Sequence, residues 1–181
     1  MDAVFLLMVL LLLGIGLVML LSASFPSAYY ETGEATYYFK RQVFFAAMGL
    51  MAMLGIGCQD YAWLRRIAKP AMAGALLLLV LVLVPGIGVV RNNARRWISV
   101  AGLFTIQPSE LAKLAVIVQF SASIAKKKAQ MQTWREGVRP YFWLLLLTAG
   151  LVLVEPHLSG AVLVFGVGAI LMAVGGIRHR W

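Results

Sequence analysis

Long apolar runs, separated by short polar stretches, dominate the hydrophobic pattern of this chain. A helix needs about 20 mostly apolar residues to cross the hydrocarbon core of a bilayer. Six segments reach or approach that length: Ala3–Leu21, Val43–Cys58, Ala71–Val90, Pro108–Ala125, Tyr141–Val154 and Leu158–Ile177. The second reaches it only with a flanking glutamine, and an acidic residue and a proline shorten the fifth. The pattern predicts an all-α, polytopic membrane protein, with about six transmembrane helices in one integral membrane domain over residues 1–181.

The composition agrees with a membrane protein and argues against a soluble or nucleic-acid-binding one. Hydrophobic residues make up 62% of the chain and charged residues 13%, whereas soluble domains have about 45–50% and about 25%. The 16 Lys and Arg exceed the 7 Asp and Glu. They lie in short clusters between the apolar runs, which is typical of membrane loops. The single cysteine, Cys58, excludes an intrachain disulfide.

The distribution of Lys and Arg predicts the orientation of the chain. With the N-terminus inside, the inner loops carry twice as many basic residues as the outer loops. Because positive charge favours cytoplasmic loops, we expect a cytoplasmic N-terminus. Two outer segments then stand out, a tyrosine-rich loop over 22–42 and the segment Arg91–Ile106. We expect the second to form a short hairpin that packs on protein at the outer interface.

Polar residues at the start of the fourth apolar segment are the strongest candidates for chemistry. Pro108 fits the first position of a helix, where its missing N–H needs no partner. Glu110 then lies in the first turn, and Gln107, Glu110 and Lys113 share one helix face. Two interpretations remain open. Either Glu110 caps its helix and pairs with a snorkelling Lys113, or both line a polar cavity open to the outer face.

Three arginines precede this helix, at Arg91, Arg95 and Arg96. Guanidinium groups suit phosphate and pyrophosphate, whether these belong to a ligand or to the bilayer lipids. The residues by themselves therefore indicate a polytopic protein that handles an anionic ligand from outside, and they name no reaction.

The stretch NNARRWISVAGLFTIQPSELAKL resembles the FtsW/RodA/SpoVE family, whose members make peptidoglycan for cell shape, elongation, division and sporulation. Three further stretches are similar to the family in the expected order. They are LLLLGIGLVMLLSAS in its first helix, YYFKRQ at the entry to its second, and LVLVPGIGVVRNNARRWI in its third helix and following loop. QPSELAKL beside ARRWI is a highly specific combination, and the wording is more similar to the FtsW/SpoVE branch than to RodA.

The resemblance implies a peptidoglycan glycosyltransferase, a multi-pass protein of the bacterial cytoplasmic (plasma) membrane. Such an enzyme polymerises lipid II, an undecaprenyl-pyrophosphate-linked substrate, on the outer face during cell division or sporulation. A carboxylate would act as general base, and cationic groups would stabilise the departing pyrophosphate. The implied partners are a class B penicillin-binding protein and the division proteins, with no nucleic acid. The resemblance leaves open a divalent cation as cofactor.

Carried over residue by residue, the resemblance also implies a substrate-binding cavity. Its residues in this chain are Arg95, Arg96, Gln107, Ser109, Glu110, Lys113 and His157. His157 stands in EPHLSG where the family usually has an aspartate, so it does not simply inherit an acidic role. The presumed catalytic base of the family lies in a later outer loop. We therefore expect the N-terminal portion of a longer enzyme, with no catalytic residue within residues 1–181 and no polymerase activity of its own.

Two other classes of function compete with the polymerase. One is a flippase that transports lipid II across the membrane, because interrupted helices and buried charges also suit transporters. The other is a non-catalytic membrane scaffold of the division machinery. Polymerisation of lipid II that has already been translocated distinguishes the enzyme from both.

Overall fold

The described part of the chain folds into six α-helices and one small sheet. The structure, a computed structural model, describes residues 3–91, 94–100, 104–127 and 130–176. The helices are α1 (Ala3–Thr32), α2 (Tyr37–Gly57), α3 (Tyr61–Leu83), α4 (Pro108–Lys126), α5 (Arg139–Val154) and α6 (Leu158–Val174). An antiparallel sheet of β1 (Gly88–Arg91), β2 (Ala94–Val100) and β3 (Phe104–Ile106) lies between α3 and α4 in the sequence. The predicted all-α, polytopic class is confirmed, with the sheet as its one addition in the described residues.

Four helical stretches of the described chain are long and apolar enough to span a membrane. They are Ala3–Thr32, Tyr37–Gly57, Tyr61–Leu83 and Trp134–Val154, the last of which joins a π-helical turn to α5. α6 is apolar but has only 17 residues, and α4 carries Glu110 and Lys113 in its first two turns. By these helices the protein is a multi-pass membrane protein.

Two helices extend well beyond their apolar segments. α1 continues through the tyrosine-rich stretch to Thr32, although Pro26 lies inside it, and only 33–36 separate it from α2. The expected long loop over 22–42 is therefore wrong. α3 begins at Tyr61 rather than Ala71 and includes the basic residues Arg65, Arg66 and Lys69. The physical reason is that hydropathy marks where the hydrocarbon ends, whereas a helix can continue into the polar interface with its backbone bonds intact.

The described helices divide into two compact units. The first, Met1–Asp60, contains α1 and α2, which pack against each other. Their connection is tied by polar side chains, since Tyr38 donates a hydrogen bond to Glu31 and Lys40 pairs with Glu34. The Lys40 ammonium, by its hydrogen bond and its charge, holds the pKa of Glu34 below its usual value. Of the side chains in α1 and α2, only Ala28 is buried.

The second unit, Tyr61–Trp181, contains the other four helices and the sheet. α4 is its centre, because it packs against α3 on one side and against α6 on another, and α5 packs on α6. The largest fully buried apolar side chains come from all four helices and the turn before α5. They are Leu79, Val82, Val116, Phe120, Met131, Leu145, Val152 and Val164.

The two ends of this second unit differ in character. At one end Tyr141 donates a hydrogen bond of 2.8 Å to Ser123 and stacks edge-on against Phe120, with 5.2 Å between ring centroids. At the other end the sheet contacts α3 and α4 through β2. The expected hairpin over Arg91–Ile106 is present as β2 and β3, and it gains a third strand, β1, that follows α3 after the short connection 84–87. The sheet, the start of α4 and the turn between α5 and α6 therefore meet at one end of the unit.

Candidate functional site

Five polar side chains meet where the sheet, the start of α4 and the α5–α6 turn come together. We call this group the polar cluster, and its members are Arg96, Gln107, Glu110, Lys113 and His157. Arg96 comes from β2, the next three from the start of α4, and His157 from the α5–α6 turn. Three parts of the chain that are far apart in sequence thus supply one site.

The start of α4 forms locally, as its sequence predicts. Pro108 occupies the first helical turn after an extended Gln107, and the Glu110 amide donates to the Gln107 carbonyl at 3.1 Å. Lys113 Nζ lies 2.8 Å from Glu110 Oε1 and 2.7 Å from Oε2, so the ammonium contacts both carboxylate oxygens. The Lys113 side chain is 21% exposed and that of Glu110 56%. The pair is therefore open to solvent on its acidic side.

Arg96 fastens the sheet to the α5–α6 turn. Its Nε donates a hydrogen bond of 3.2 Å to the carbonyl of Glu155, and Nη2 donates to the carbonyl of Pro156. The Glu155 carbonyl lies at the C-cap of α5, where a helix leaves carbonyls without partners of its own, and the Pro156 carbonyl is the next one along the turn. The guanidinium is thus committed to backbone in this structure, and it also sets the position of β2.

His157 is held by Gln107. The side-chain nitrogen of Gln107 lies 3.0 Å from Nε2 of the imidazole. In this orientation of the amide its nitrogen donates to Nε2, which fits a neutral ring with its proton on Nδ1. The chemistry of the surroundings agrees: burial lowers the pKa of His157, the positive charges of Arg96 and Lys113 lower it further, and Glu110 opposes them.

Two of the residues implied by the resemblance lie apart from the cluster. Arg95 is exposed and lies opposite Val90 of β1 in the sheet. Ser109 is fully buried, and its Oγ has no hydrogen-bond partner among the described residues. The side chain of Arg91 lies outside the described part of the structure.

Glu155 was missed as a site residue by the sequence interpretation, which treated it only as the end of an apolar run. Its side chain is fully buried, and among the described residues neither carboxylate oxygen has a hydrogen-bond partner. Burial raises the pKa of Glu155 to about 7, against the opposing effect of the Arg96 charge. The feature of the sequence that could have identified Glu155 is its position directly between an apolar run and a proline.

The arrangement is suited to electrostatic binding. Two cations and one neutral imidazole lie together, and both cations already contact oxygen atoms of the protein. An incoming anion must therefore compete with Glu110 for Lys113. In the described ranges no three His, Cys, Asp or Glu side chains are placed to hold a metal ion.

Comparison with known proteins gives a consistent result over almost the whole chain. The family model for FtsW, RodA and SpoVE, described as "Cell cycle protein", matches residues 2–181. The chain is 38% identical over 180 residues to the probable peptidoglycan glycosyltransferase FtsW of Geobacter metallireducens, covering 99% of this chain and 48% of that protein. It is 37% identical over 177 residues to the stage V sporulation protein E of Bacillus subtilis, covering 98% and 48%. The chain thus spans about half the length of these relatives.

Solved structures with the same fold lead to the same group. The chain is similar to the rod shape determining protein RodA of Thermus thermophilus, with a TM-score of 0.66 and 32% identity over 91% of this chain and 54% of that one. A second similar chain belongs to a peptidoglycan synthase complex that coordinates polymerization and crosslinking. There the TM-score is 0.65 and the identity 30%, over 88% of this chain and 47% of that one.

Proposed function

Because this chain belongs to the FtsW/RodA/SpoVE family, we propose that it serves in a peptidoglycan glycosyltransferase that polymerises lipid II. Relatives that bear the name peptidoglycan glycosyltransferase support this at 38% and 39% identity. The single observation that carries the proposal is the polar cluster, which puts two cations and a neutral imidazole at one end of an apolar helical unit. A lipid-linked pyrophosphate has the complementary chemistry, with an anionic head and a hydrocarbon tail.

We assign the residues of the cluster the following roles. Lys113 binds the pyrophosphate, because its ammonium is a point charge that can exchange Glu110 for a phosphate oxygen. Arg96 keeps the sheet on the α5–α6 turn and adds positive potential. Gln107 and His157 provide neutral hydrogen-bonding groups beside the phosphate. Together, these charges stabilise the negative charge that develops on the leaving group.

We further propose that the chain lies in the bacterial cytoplasmic membrane with its N-terminus in the cytoplasm. The basic residues in the first turns of α3 and in the α4–α5 connection support this orientation. The polar cluster is then on the outer side, where lipid II is polymerised. One integral membrane domain over residues 1–181 is part of the same proposal.

We also propose that the protein works with a class B penicillin-binding protein and the division proteins. The similarity to a chain of a peptidoglycan synthase complex supports the first partner. Co-purification of a tagged class B penicillin-binding protein with this protein tests it. A protein that never co-purifies with such a partner from native membranes would contradict the proposal.

A chimera tests the polymerase proposal directly. In the Geobacter metallireducens relative, this chain replaces the 48% that it matches, and the purified chimera is given lipid II in detergent. We expect glycan chains to form, because detergent removes any need for translocation. A chimera that transports lipid II in vesicles but never forms glycan would favour the flippase, and one that does neither while still binding its partner would favour the scaffold.

A matched pair of lysines tests the pyrophosphate role. Lys113→Ala removes a cation from the cluster, whereas Lys126→Ala removes an exposed cation at the far end of the same helix. We expect Lys113→Ala to weaken lipid II binding by roughly tenfold, since a charge-assisted contact contributes about 1.5–3 kcal/mol, and Lys126→Ala to leave it unchanged. Equal affinities for the two variants would contradict the assignment.

A Glu110→Gln variant distinguishes the binding of lipid II from its polymerisation. Glu110→Gln frees Lys113 from its carboxylate, so we expect lipid II to bind more tightly by a few fold. We expect polymerisation by the chimera to be lost, because the cluster then lacks its carboxylate. Retained polymerisation would show that Glu110 is only a structural partner of Lys113.

A further inference from the structure

A glycine lies directly beneath the imidazole of His157. Gly160 is buried in the first turn of α6, and His157 is the residue before that helix. A Cβ added to Gly160 would lie 2.3 Å from Cδ2 of His157, 2.6 Å from Nε2 and 3.0 Å from Cγ. Real Cβ atoms do not approach ring atoms so closely. The ring thus occupies space that any side chain at position 160 would need.

One of the two ring atoms closest to this added Cβ is also the one that bonds to α4. Nε2 of His157 accepts from the Gln107 amide at 3.0 Å, across 50 residues of sequence. On the other side of the ring, Nδ1 lies 3.5 Å from the Ser159 hydroxyl. The imidazole therefore bridges the start of α4 and the start of α6, and its position depends on both contacts.

The charged groups around the ring come from every element packed against it. Arg96 comes from β2, Glu110 and Lys113 come from α4, and Glu155 precedes it by two residues in the turn. The ring thus faces two cations, one exposed carboxylate and one buried carboxyl. On balance, these charges do not favour protonation of the imidazole. A ring that turned outward would exchange Gln107 for water.

We propose that Gly160 is a positioning residue that keeps His157 in place as a neutral hydrogen-bond acceptor for Gln107. The bare helix face at Gly160 provides the space, and the amide of Gln107 fixes the tautomer. This role concerns the shape of the polar cluster and holds whichever ligand the cluster binds. A side chain at position 160 pushes the ring away from α4 and removes the link between α4 and α6.

Histidine NMR gives the test, because the chain has only two histidines, His157 and His179. The full chain is labelled with ¹⁵N-histidine in detergent, and His179→Gln assigns the signals. We expect Nε2 of His157 to be unprotonated and its titration midpoint to lie below the ordinary value of about 6.5. In Gly160→Ala we expect the midpoint to rise towards that value and the Nε2 signal to move.

Gly166→Ala is the control, since Gly166 lies on the same helix and an added Cβ there meets nothing within 4 Å. It should leave the His157 signals unchanged. A His157 titration that is identical in Gly160→Ala and in the parent would overturn the proposal.

A double-mutant cycle keeps the proposal testable if Gly160→Ala folds poorly. In a His157→Ala background the ring is absent, so Gly160→Ala should no longer lower the thermal unfolding midpoint. Loss of the midpoint shift in that background supports the proposal. The same destabilisation in both backgrounds would mean that Gly160 is needed for the helix itself, and the positioning role would be rejected.

Discussion

Among single residues, Glu155 poses the sharpest electrostatic problem in the described structure. A buried carboxyl without a hydrogen-bond partner favours its neutral form. Burial raises its pKa from the ordinary value of 4.5 to about 7. Between pH 4.5 and about pH 7, the Glu155 carboxyl is therefore protonated in the folded state and ionised in the unfolded state. The contribution of Glu155 to stability is greatest below about pH 4.5 and falls as the pH rises to about 7. The effect amounts to at most a few kcal/mol.

We expect Glu155→Gln to raise the thermal unfolding midpoint at pH 8 and to leave it nearly unchanged at pH 5. The amide keeps the shape of the side chain and removes the charge that burial disfavours. Unfolding is followed in detergent at both pH values, and the difference from the parent isolates this residue from His157. Glu136→Gln, at an exposed acidic residue before α5, is the control. A lower midpoint for Glu155→Gln at pH 8 would contradict the buried neutral state.

The residues of the polar cluster differ in how far the sequence could predict them. The contact of Glu110 with Lys113 follows from their three-residue spacing on a helix, and the structure has it. The bond of Gln107 to His157 joins residues 50 apart, and that of Arg96 to Glu155 joins residues 59 apart. These pairs depend on how α4, the sheet and the α5–α6 turn pack, which the local pattern does not contain.

At the scale of elements, the contact between α5 and α6 depends on a second glycine. A Cβ at Gly168 would lie 2.4 Å from a methyl carbon of Leu145, in the middle of the helix pair. We expect Gly168→Ala to force Leu145 into another rotamer and to lower stability by about 1–3 kcal/mol, as overpacked cores do. Gly166→Ala, on an open face of α6, should instead be neutral or stabilising by up to about 1 kcal/mol.

Thermal unfolding of the two variants in the same detergent measures this difference. Equal midpoints would show that α5 and α6 have room at this contact. The result bears on the site as well, because the turn that carries His157 joins these two helices.

Helix positions were predictable from hydropathy, but helix ends were not. α4 begins at Pro108 as expected, because proline and the acidic first turn mark a helix start. α1 passes its apolar segment and ends only at Thr32, because the next residue, Gly33, has a φ of +74° that breaks the helical conformation. α3 likewise begins before its apolar segment. Polar residues that the pattern assigned to loops are compatible with helix, so composition by itself does not locate these ends.

At the scale of the whole molecule, the single cysteine reports the orientation of the chain. Cys58 is exposed and lies directly after α2. With a cytoplasmic N-terminus, the end of α2 also faces the cytoplasm. We therefore expect a membrane-impermeant maleimide to label Cys58 only after intact cells are permeabilised.

The control moves the cysteine to the other end of α2. Ala35→Cys in a Cys58→Ala background places the thiol in the short connection between α1 and α2, and it should be labelled in intact cells. The reverse pattern, with Cys58 labelled from outside, would invert the proposed orientation and remove the polar cluster from the side where lipid II is polymerised.

The Lys113–Glu110 pair has a consequence for how a site in a membrane can choose its ligand. Phospholipids surround such a site in vast excess, and most of them offer one phosphate charge. A single charge that replaces Glu110 at Lys113 gains little, because it exchanges one carboxylate contact for one equivalent contact. A pyrophosphate brings additional charge, which the positive potential of Arg96 also favours. Under the proposed function, the internal ion pair thus sets a threshold that the bulk phospholipids do not reach, so a scarce pyrophosphate-linked substrate can bind in their presence.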